Sequence, residues 1–241
     1  MDKKTLIAQT EEFYKSVLKS INRKKIPFMM GGTYALHHYT GINRETKDMD
    51  IFCKGGDYPF LLRSLRDDGY RIRILDDRWL AKILSNGHYI DIIFGSITNL
   101  HPVDDTWLKH ATDGRLFGIK IKFISPEDLI WSKAYRQERF KYDGADVNHL
   151  ILKRGKELNW KHIFLRFEQH WEILFSHILN FRFVYPSERN KVPKWLIKEL
   201  ISRVENQLEV PTPQGIVCRG TLLSHYSYES DITEWGYKSV T

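Results

Sequence analysis

Two aspartates separated by one residue, Asp48 and Asp50, have the clearest chemical potential in this sequence. They lie in a stretch that alternates polar and apolar residues, 48–53, which predicts a β-strand. Residues two apart on a strand point to the same face, about 7 Å apart along the chain. Mg²⁺ prefers carboxylate oxygens and keeps its other positions for water or phosphate oxygens. The pattern therefore predicts a site that holds metal and triphosphate together.

A third carboxylate, Asp91, interrupts the otherwise apolar run 89–94. An aspartate buried in such a strand without a partner costs roughly several kcal/mol, so it needs a ligand, a partner or water. We predict that Asp91 joins Asp48 and Asp50 in a two-metal site, where it is also a candidate general base.

The glycine pair Gly31-Gly32 follows a short apolar run, 27–30, and precedes a segment with helical character, 33–39. Glycine permits close backbone approach, and the amides at the start of a helix favour an anion. This arrangement predicts a phosphate-binding loop, in which Thr33 caps the helix or contacts a phosphate. An ordinary strand–helix turn explains the glycines alone, so the specific signal is their combination with the three aspartates.

The remaining elements must bring these residues together. Apolar spacing predicts an amphipathic N-terminal helix. Strand-like runs predict three further strands, over 70–75, 79–84 and 89–94, and alternation of Ile, Lys and Phe predicts a fourth over 118–124. Asn86-Gly87 predicts a tight hairpin turn between two of them. Beyond Ser125 the pattern is helical almost throughout, beginning with a helix over 126–139. We therefore expect an α+β fold, with a mixed, mostly antiparallel sheet flanked by helices and followed by a helical C-terminal region.

Composition narrows the class of protein. The 241 residues are 42% hydrophobic and 28% charged, which is typical of a packed globular protein and excludes a disordered or fibrous one. The net charge of +7 favours an anionic partner such as a nucleotide or nucleic acid. Two cysteines supply neither a disulfide framework nor a cysteine-based zinc site, and they suit a reducing cytoplasm. No apolar stretch approaches the length of a membrane span, so we expect a cytoplasmic protein with no membrane partner.

Three segments together resemble the nucleotidyltransferase fold of the DNA polymerase beta superfamily: Gly31-Gly32-Thr33, Asp48-Met49-Asp50 and Tyr89-Ile90-Asp91-Ile92. Within that superfamily the chain is most similar to the bacterial AbiEii-like nucleotidyltransferases, in which Arg-x-Thr/Ser precedes Asp-x-Asp. The corresponding residues here are Arg44-Glu45-Thr46-Lys47-Asp48-Met49-Asp50. The resemblance covers residues 28–150. Together with the change of pattern near Ser125, it predicts a nucleotidyltransferase catalytic domain over 1–125 and a helical region over 126–241 that packs on it.

The same resemblance implies a lysine on a later helix and an Asp-x-x-Asp beyond it, which Lys133 and Asp143-Gly144-Ala145-Asp146 match. Arg136, three residues after Lys133, would lie on the same face of the predicted helix. The alternative to nucleotide binding is that Lys133 and Arg136 are solvated cations on the helix surface. For the two aspartates, the alternative role is helix capping. The full set of predicted nucleotide-binding residues is Gly31, Gly32, Thr33, Arg44, Thr46, Lys133, Arg136, Asp143 and Asp146.

The activity implied by the resemblance is metal-dependent nucleotidyl transfer with Mg²⁺ or Mn²⁺, in which an NTP gives its nucleoside monophosphate to an acceptor and pyrophosphate leaves. The acceptor stays open among RNA or tRNA, a protein hydroxyl and a small molecule such as an aminoglycoside. A toxin role, with a cognate antitoxin as partner, is an expectation from the family. The alternative is a catalytically inactive module of the same fold that binds a nucleotide or a partner protein. The sequence does not select the ring that stacks on the base.

Overall fold

The computed structural model describes residues 3–85, 87–96, 98 and 100–240, with side chains from Ala8 onward. The chain divides into two compact units, Met1–Ser125 and Pro126–Thr241. The described helices of the first unit are α1 (Lys3–Arg23), α2 (Gly32–Thr40), α3 (Tyr58–Asp67) and α4 (Asp105–His110). Its strands are β1 (Met29–Met30), β2 (Asp48–Phe52), β3 (Arg71–Asp76), β4 (Leu80–Ser85), β5 (His88–Ile93), β6 (Thr112–Leu116) and β7 (Ile119–Phe123).

One seven-stranded sheet, in the order β3-β4-β5-β2-β1-β7-β6, organises the first unit. Strand β2 runs parallel to β5, and β1 runs parallel to β7, whereas the other neighbours are antiparallel. The expectation of an α+β fold with a mixed, mostly antiparallel sheet is confirmed. Helix α4 and strand β6 are not among the predicted elements. The sequence of β6, Thr-Asp-Gly-Arg-Leu, lacks the apolar alternation that marks a strand.

The two faces of the central strands differ in chemistry. Met49 and Ile51 of β2, with Ile90 and Ile92 of β5, are fully buried in the core. Because successive side chains alternate between faces, the aspartates of the same two strands lie on the opposite face. The apolar residues therefore anchor the strands and fix the direction in which the carboxylates point.

The second unit is mainly helical. Its helices are α5 (Pro126–Ala134), α6 (Gly144–Arg154), α7 (Trp160–Arg166), α8 (Trp171–Val184), α9 (Lys194–Leu208) and α10 (Glu229–Thr233). Two small strand pairs accompany them, β8 (Gln137–Glu138) with β9 (Lys141–Tyr142) and β10 (Val217–Cys218) with β11 (Lys238–Ser239). Nowhere in the described residues does a helix have the length and apolar content needed to cross a lipid bilayer.

The prediction of a helix over 126–139 is wrong in its second half, because α5 ends at Ala134. The carbonyl of Ala134, which a continued helix would pair with a later amide, accepts hydrogen bonds from two side chains instead. Gln137 Nε2 donates at 3.1 Å, and the buried His177 Nε2 donates at 2.8 Å. A tertiary contact from α8 therefore contributes to ending the helix, and the β8–β9 hairpin follows.

Candidate active site

The three predicted carboxylates meet on one face of the sheet. Strands β2 and β5 are adjacent and parallel, and their register places Asp50 directly opposite Asp91. Asp48, Asp50 and Asp91 each offer one oxygen, and these oxygens lie within 4.8 Å of one another. All three residues are half-buried, so their like charges repel unless a cation lies close by. Clustered carboxylate oxygens are the ligand set that a hard divalent cation prefers, and the residues present therefore fit such an ion.

The glycine pair is tied to Asp50 in two ways. Gly31 occupies the N-cap position of α2, and its amide donates to the carbonyl oxygen of Asp50 at 2.9 Å. Gly32 has φ +53°, and a Cβ atom there would collide with the carboxylate of Asp50. Thr33 lies inside the first turn of α2 rather than at its cap, which leaves a phosphate contact as its predicted role. The start of α2 and the carboxylate cluster are thus joined.

Thr46 holds Asp48 in place. Its hydroxyl donates to Asp48 Oδ1 at 2.8 Å and lies 3.1 Å from the carbonyl oxygen of the same residue. Thr46, Arg44 and Thr33 all line a cavity of about 690 Å³ in the first unit. The structure therefore brings these three predicted nucleotide-binding residues to the end of the sheet where the carboxylates lie.

Lys82 is a site residue that the sequence analysis missed. Its ammonium group lies 2.5 Å from Asp91 Oδ1 and 3.7 Å from the centre of the Tyr89 ring. The predicted hairpin turn at Asn86-Gly87 contains the information needed to pair Lys82 with Asp91, although Asn86 itself is outside the described residues. A two-residue turn pairs Ser85 with His88, and continuing that register pairs Lys82 with Asp91.

Lys82→Met is expected to tighten the binding of Mn²⁺ in the absence of nucleotide by roughly 3-fold to 10-fold. The ammonium group and a divalent ion compete for the same carboxylate, so removal of the ammonium favours the ion. Titration followed by electron paramagnetic resonance of free Mn²⁺ measures the change. Lys122→Met is a matched control, because Lys122 also pairs with an aspartate nine residues away, Asp113, at 2.9 Å. Unchanged or weaker Mn²⁺ binding by Lys82→Met contradicts this competition.

Tyrosine hydroxyls near the carboxylates stay protonated. Burial raises the pKa of Tyr34 to about 12. Burial also raises the pKa of Tyr89, and the charges of Asp48 and Asp91 raise it further. The pKa of Tyr14 shifts upward mainly through burial, and its hydroxyl donates to the carbonyl oxygen of Tyr89 at 3.4 Å. At neutral pH these side chains therefore act as hydrogen-bond donors.

In the second unit, Lys133 joins the two predicted aspartates at the junction of α5 and α6. Its ammonium group lies 2.7 Å from Asp146 Oδ2 and 3.2 Å from Asp143 Oδ2. The side chains of Lys133 and Asp146 are 10% and 3% exposed, so the alternative of a solvated lysine does not hold. Asp143 occupies the N-cap position of α6 without a capping hydrogen bond from its side chain. Nucleotide binding by these residues stays a prediction.

Arg136 does not share a helix face with Lys133, and that prediction is wrong because α5 ends at Ala134. The residue lies in the connection to β8, and its carbonyl accepts from the amide of Asp143 at 3.0 Å. Its Nη1 is buried and has no hydrogen-bond partner within the part of the chain that the structure describes. A donor of this kind suits an anionic ligand.

Comparison with protein families shows which family the chain belongs to. The family described as nucleotidyl transferase of unknown function (DUF2204) matches residues 10–172. The chain belongs to this family. The match includes the glycine pair, the three aspartates of the sheet and the Lys133 cluster. Membership of a nucleotidyl transferase family implies an NTP substrate and use of a divalent metal, in agreement with the fit of the three carboxylates to a hard cation.

Several solved structures are similar to this DUF2204 member at low sequence identity and with TM-scores below 0.5. The antibiotic-resistance factor ANT(2″)-Ia is 16% identical, with TM-score 0.49 over 70% of this chain and 97% of its own. The lincosamide antibiotic adenylyltransferase LnuA is 19% identical, with TM-score 0.42 over 58% of this chain and 94% of its own. JHP933 from Helicobacter pylori is 14% identical, with TM-score 0.43 over 86% and 96%. Comparison with curated proteins gives no match.

Proposed function

We propose that this chain is a metal-dependent nucleotidyltransferase that transfers a nucleoside monophosphate from an NTP to a hydroxyl group and releases pyrophosphate. The observation that carries the proposal is the convergence of Asp48, Asp50 and Asp91, with carboxylate oxygens within 4.8 Å of one another, beside the start of α2. Mg²⁺ or Mn²⁺ bound by these carboxylates, as one ion or two, would lower the pKa of the acceptor hydroxyl and offset the charge of the triphosphate.

Each protein group has a proposed role that its position supports. Asp91 accepts the proton of the acceptor hydroxyl, whose oxygen attacks the α-phosphorus of the NTP. The bond between the α-phosphorus and the bridging oxygen breaks, and pyrophosphate leaves with that oxygen and the electron pair. The amides of Gly32 and Thr33, at the positive end of the α2 dipole, bind the anionic triphosphate. Thr46 keeps Asp48 aimed at the cluster.

The nucleotide-binding set in this proposal also includes Arg44, Lys133, Arg136 and the Asp143/Asp146 pair. The acceptor is RNA or tRNA, a protein or a small molecule, and the net charge of +7 favours an RNA. An AbiEii-like toxin paired with a cognate antitoxin in the cytoplasm is the biological setting proposed from the Arg-x-Thr-x-Asp-x-Asp pattern. The rival function is a catalytically inactive module that binds a nucleotide or a partner.

The test uses the whole chain, each α-labelled NTP, Mg²⁺ or Mn²⁺, and an extract that contains RNA, protein and small molecules. We expect label to pass to one acceptor class with release of pyrophosphate, and to be lost with a chelator or in Asp48→Ala. Asp113→Ala removes an exposed carboxylate of the same unit, on β6, and it should behave as wild type. Metal-dependent NTP binding without pyrophosphate release favours the inactive module. Identical behaviour of wild type and Asp48→Ala refutes the site.

A further inference from the structure

The cavity of about 690 Å³ in the first unit is lined by four aromatic rings, those of Tyr14, Tyr34, Tyr89 and Phe117. Its volume is in the range of small-molecule sites, which are predominantly apolar with a few polar groups. Tyr89 is the register partner of Asp48, and the wall residue Thr46 donates to the Asp48 carboxylate. The cavity therefore opens next to the carboxylate cluster.

Three of the rings form a row. Tyr34 meets Tyr14 edge to face at 6.3 Å between centroids, and it meets Phe117 at 5.9 Å with an interplanar angle of 75°. Tyr34 of α2 and Phe117 of the turn between β6 and β7 are half-buried and supply the aromatic wall, while the buried Tyr14 of α1 packs against Tyr34 and supports it. Such a wall suits a flat ligand that stacks.

Phe117 is held in an unfavourable backbone conformation to take its place in that wall. It has φ +52° and Gly118 has φ +80°, and together they form the two-residue turn between Leu116 and Ile119. A turn with both central residues at positive φ favours Asn, Asp or Gly, and a bulky side chain at the first position is strained. Strain of this kind persists where the surrounding structure requires it, and it clusters at ligand sites.

Polar groups lie among the rings. Thr10 and His88 line the cavity, and the Thr10 hydroxyl lies 3.0 Å from His88 Nδ1. The Tyr34 hydroxyl supplies a further donor, since a tyrosine is protonated at neutral pH and burial raises the pKa of Tyr34 to about 12. Flat stacking surfaces combined with hydrogen-bonding edges are the recognition chemistry of a nucleobase.

We propose that this cavity binds a nucleobase beside the carboxylate cluster, and that Phe117 is a stacking residue of that site. The inference rests on the proposed function, since nucleotidyl transfer supplies two sources of a base: the NTP donor and the terminal nucleotide of an RNA acceptor. The aromatic wall, the neighbouring polar groups and the strained turn would suit a base from either source.

Phe117→Asn separates binding from folding. Asparagine tolerates positive φ, so relief of strain offsets the lost contact with Tyr34, and we expect thermal unfolding within roughly 2–4 °C of wild type, or above it. Affinity for the base-containing ligand should fall roughly 10-fold, as for loss of one stacking ring. Phe117→Tyr keeps the ring and should keep the affinity.

Calorimetric titrations with each NTP, with inorganic triphosphate and with a short RNA, all with Mg²⁺, give the readout. Weaker NTP binding by Phe117→Asn, with inorganic triphosphate bound as by wild type, supports a donor base. A loss confined to the RNA supports an acceptor base. Equal binding of NTP and RNA by both proteins overturns the inference and leaves the proposed function standing. Failure of wild type to bind either ligand overturns both.

Discussion

Asp91→Asn is expected to lower the rate of nucleotidyl transfer by roughly 1,000-fold, while NTP binding in the presence of Mg²⁺ stays within a few-fold of wild type. Asp48 and Asp50 remain to hold the metal that accompanies the triphosphate, so binding survives. The variant lacks the proposed general base, so the rate of the chemical step falls. Initial rates of pyrophosphate release and calorimetric NTP titrations measure the two effects separately.

This variant also leaves the Lys82 ammonium without its partner at 2.5 Å, which costs stability. The double variant Asp91→Asn/Lys82→Met removes the stranded charge and should recover much of that stability without recovering activity. A loss of NTP binding in Asp91→Asn as complete as in Asp48→Ala would refute the division of roles. Recovery of transfer in the double variant would assign the defect to Lys82 instead.

Gly32→Ala is expected to reduce transfer at least 100-fold and to weaken metal binding. The positive φ of this position costs an alanine roughly 1–2 kcal/mol. The larger effect comes from the new Cβ atom, which must displace the Asp50 carboxylate from the cluster. Mn²⁺ titration of the folded protein reports that displacement independently of turnover.

Two other glycine variants separate the backbone cost of Gly32→Ala from the effect of its collision with Asp50. Gly41, at the end of α2, has φ +76° and open space around it, so Gly41→Ala carries the backbone cost without a collision. Gly55 has open space and lies outside the positive-φ set, so Gly55→Ala should be close to neutral in stability. We expect both variants to retain transfer. Transfer by Gly32→Ala equal to that by Gly41→Ala would show that contact with Asp50 is unimportant.

The fold was largely predictable because its strongest local signals agree with its tertiary structure. Alternation in 48–53 and the strand-like run 89–94 predicted the two strands that become β2 and β5, and Met49, Ile51, Ile90 and Ile92 of these strands are buried. The weak strand β6 could not be predicted in the same way, since its pairing with β7 rather than its composition makes it a strand. His177, 43 residues beyond Ala134, contributes to ending α5, and no local pattern reveals that contact.

The acidic part of the site was predictable because three aspartates interrupt or alternate with apolar residues on recognisable strands. Lys82 required one further step, the register of a hairpin whose turn was already evident. The aromatic cavity could not be predicted from the sequence. A Phe-Gly turn is not a hairpin signal. Aromatic residues occur in both halves of the chain, and many of them, such as Phe167 and Phe181, are fully buried, so the sequence does not single out a stacking ring.

The two-residue strand β1 has a consequence for the dynamics of the site. Met30 pairs with Ile51 on one side and with Phe123 on the other. Within the sheet, β1 is the connection between the strands that carry the aspartates and the hairpin that carries Phe117. The free energy of locally opening β1 therefore limits how long both halves keep a common geometry, and amide exchange along this strand reports it on the timescale of sub-global opening.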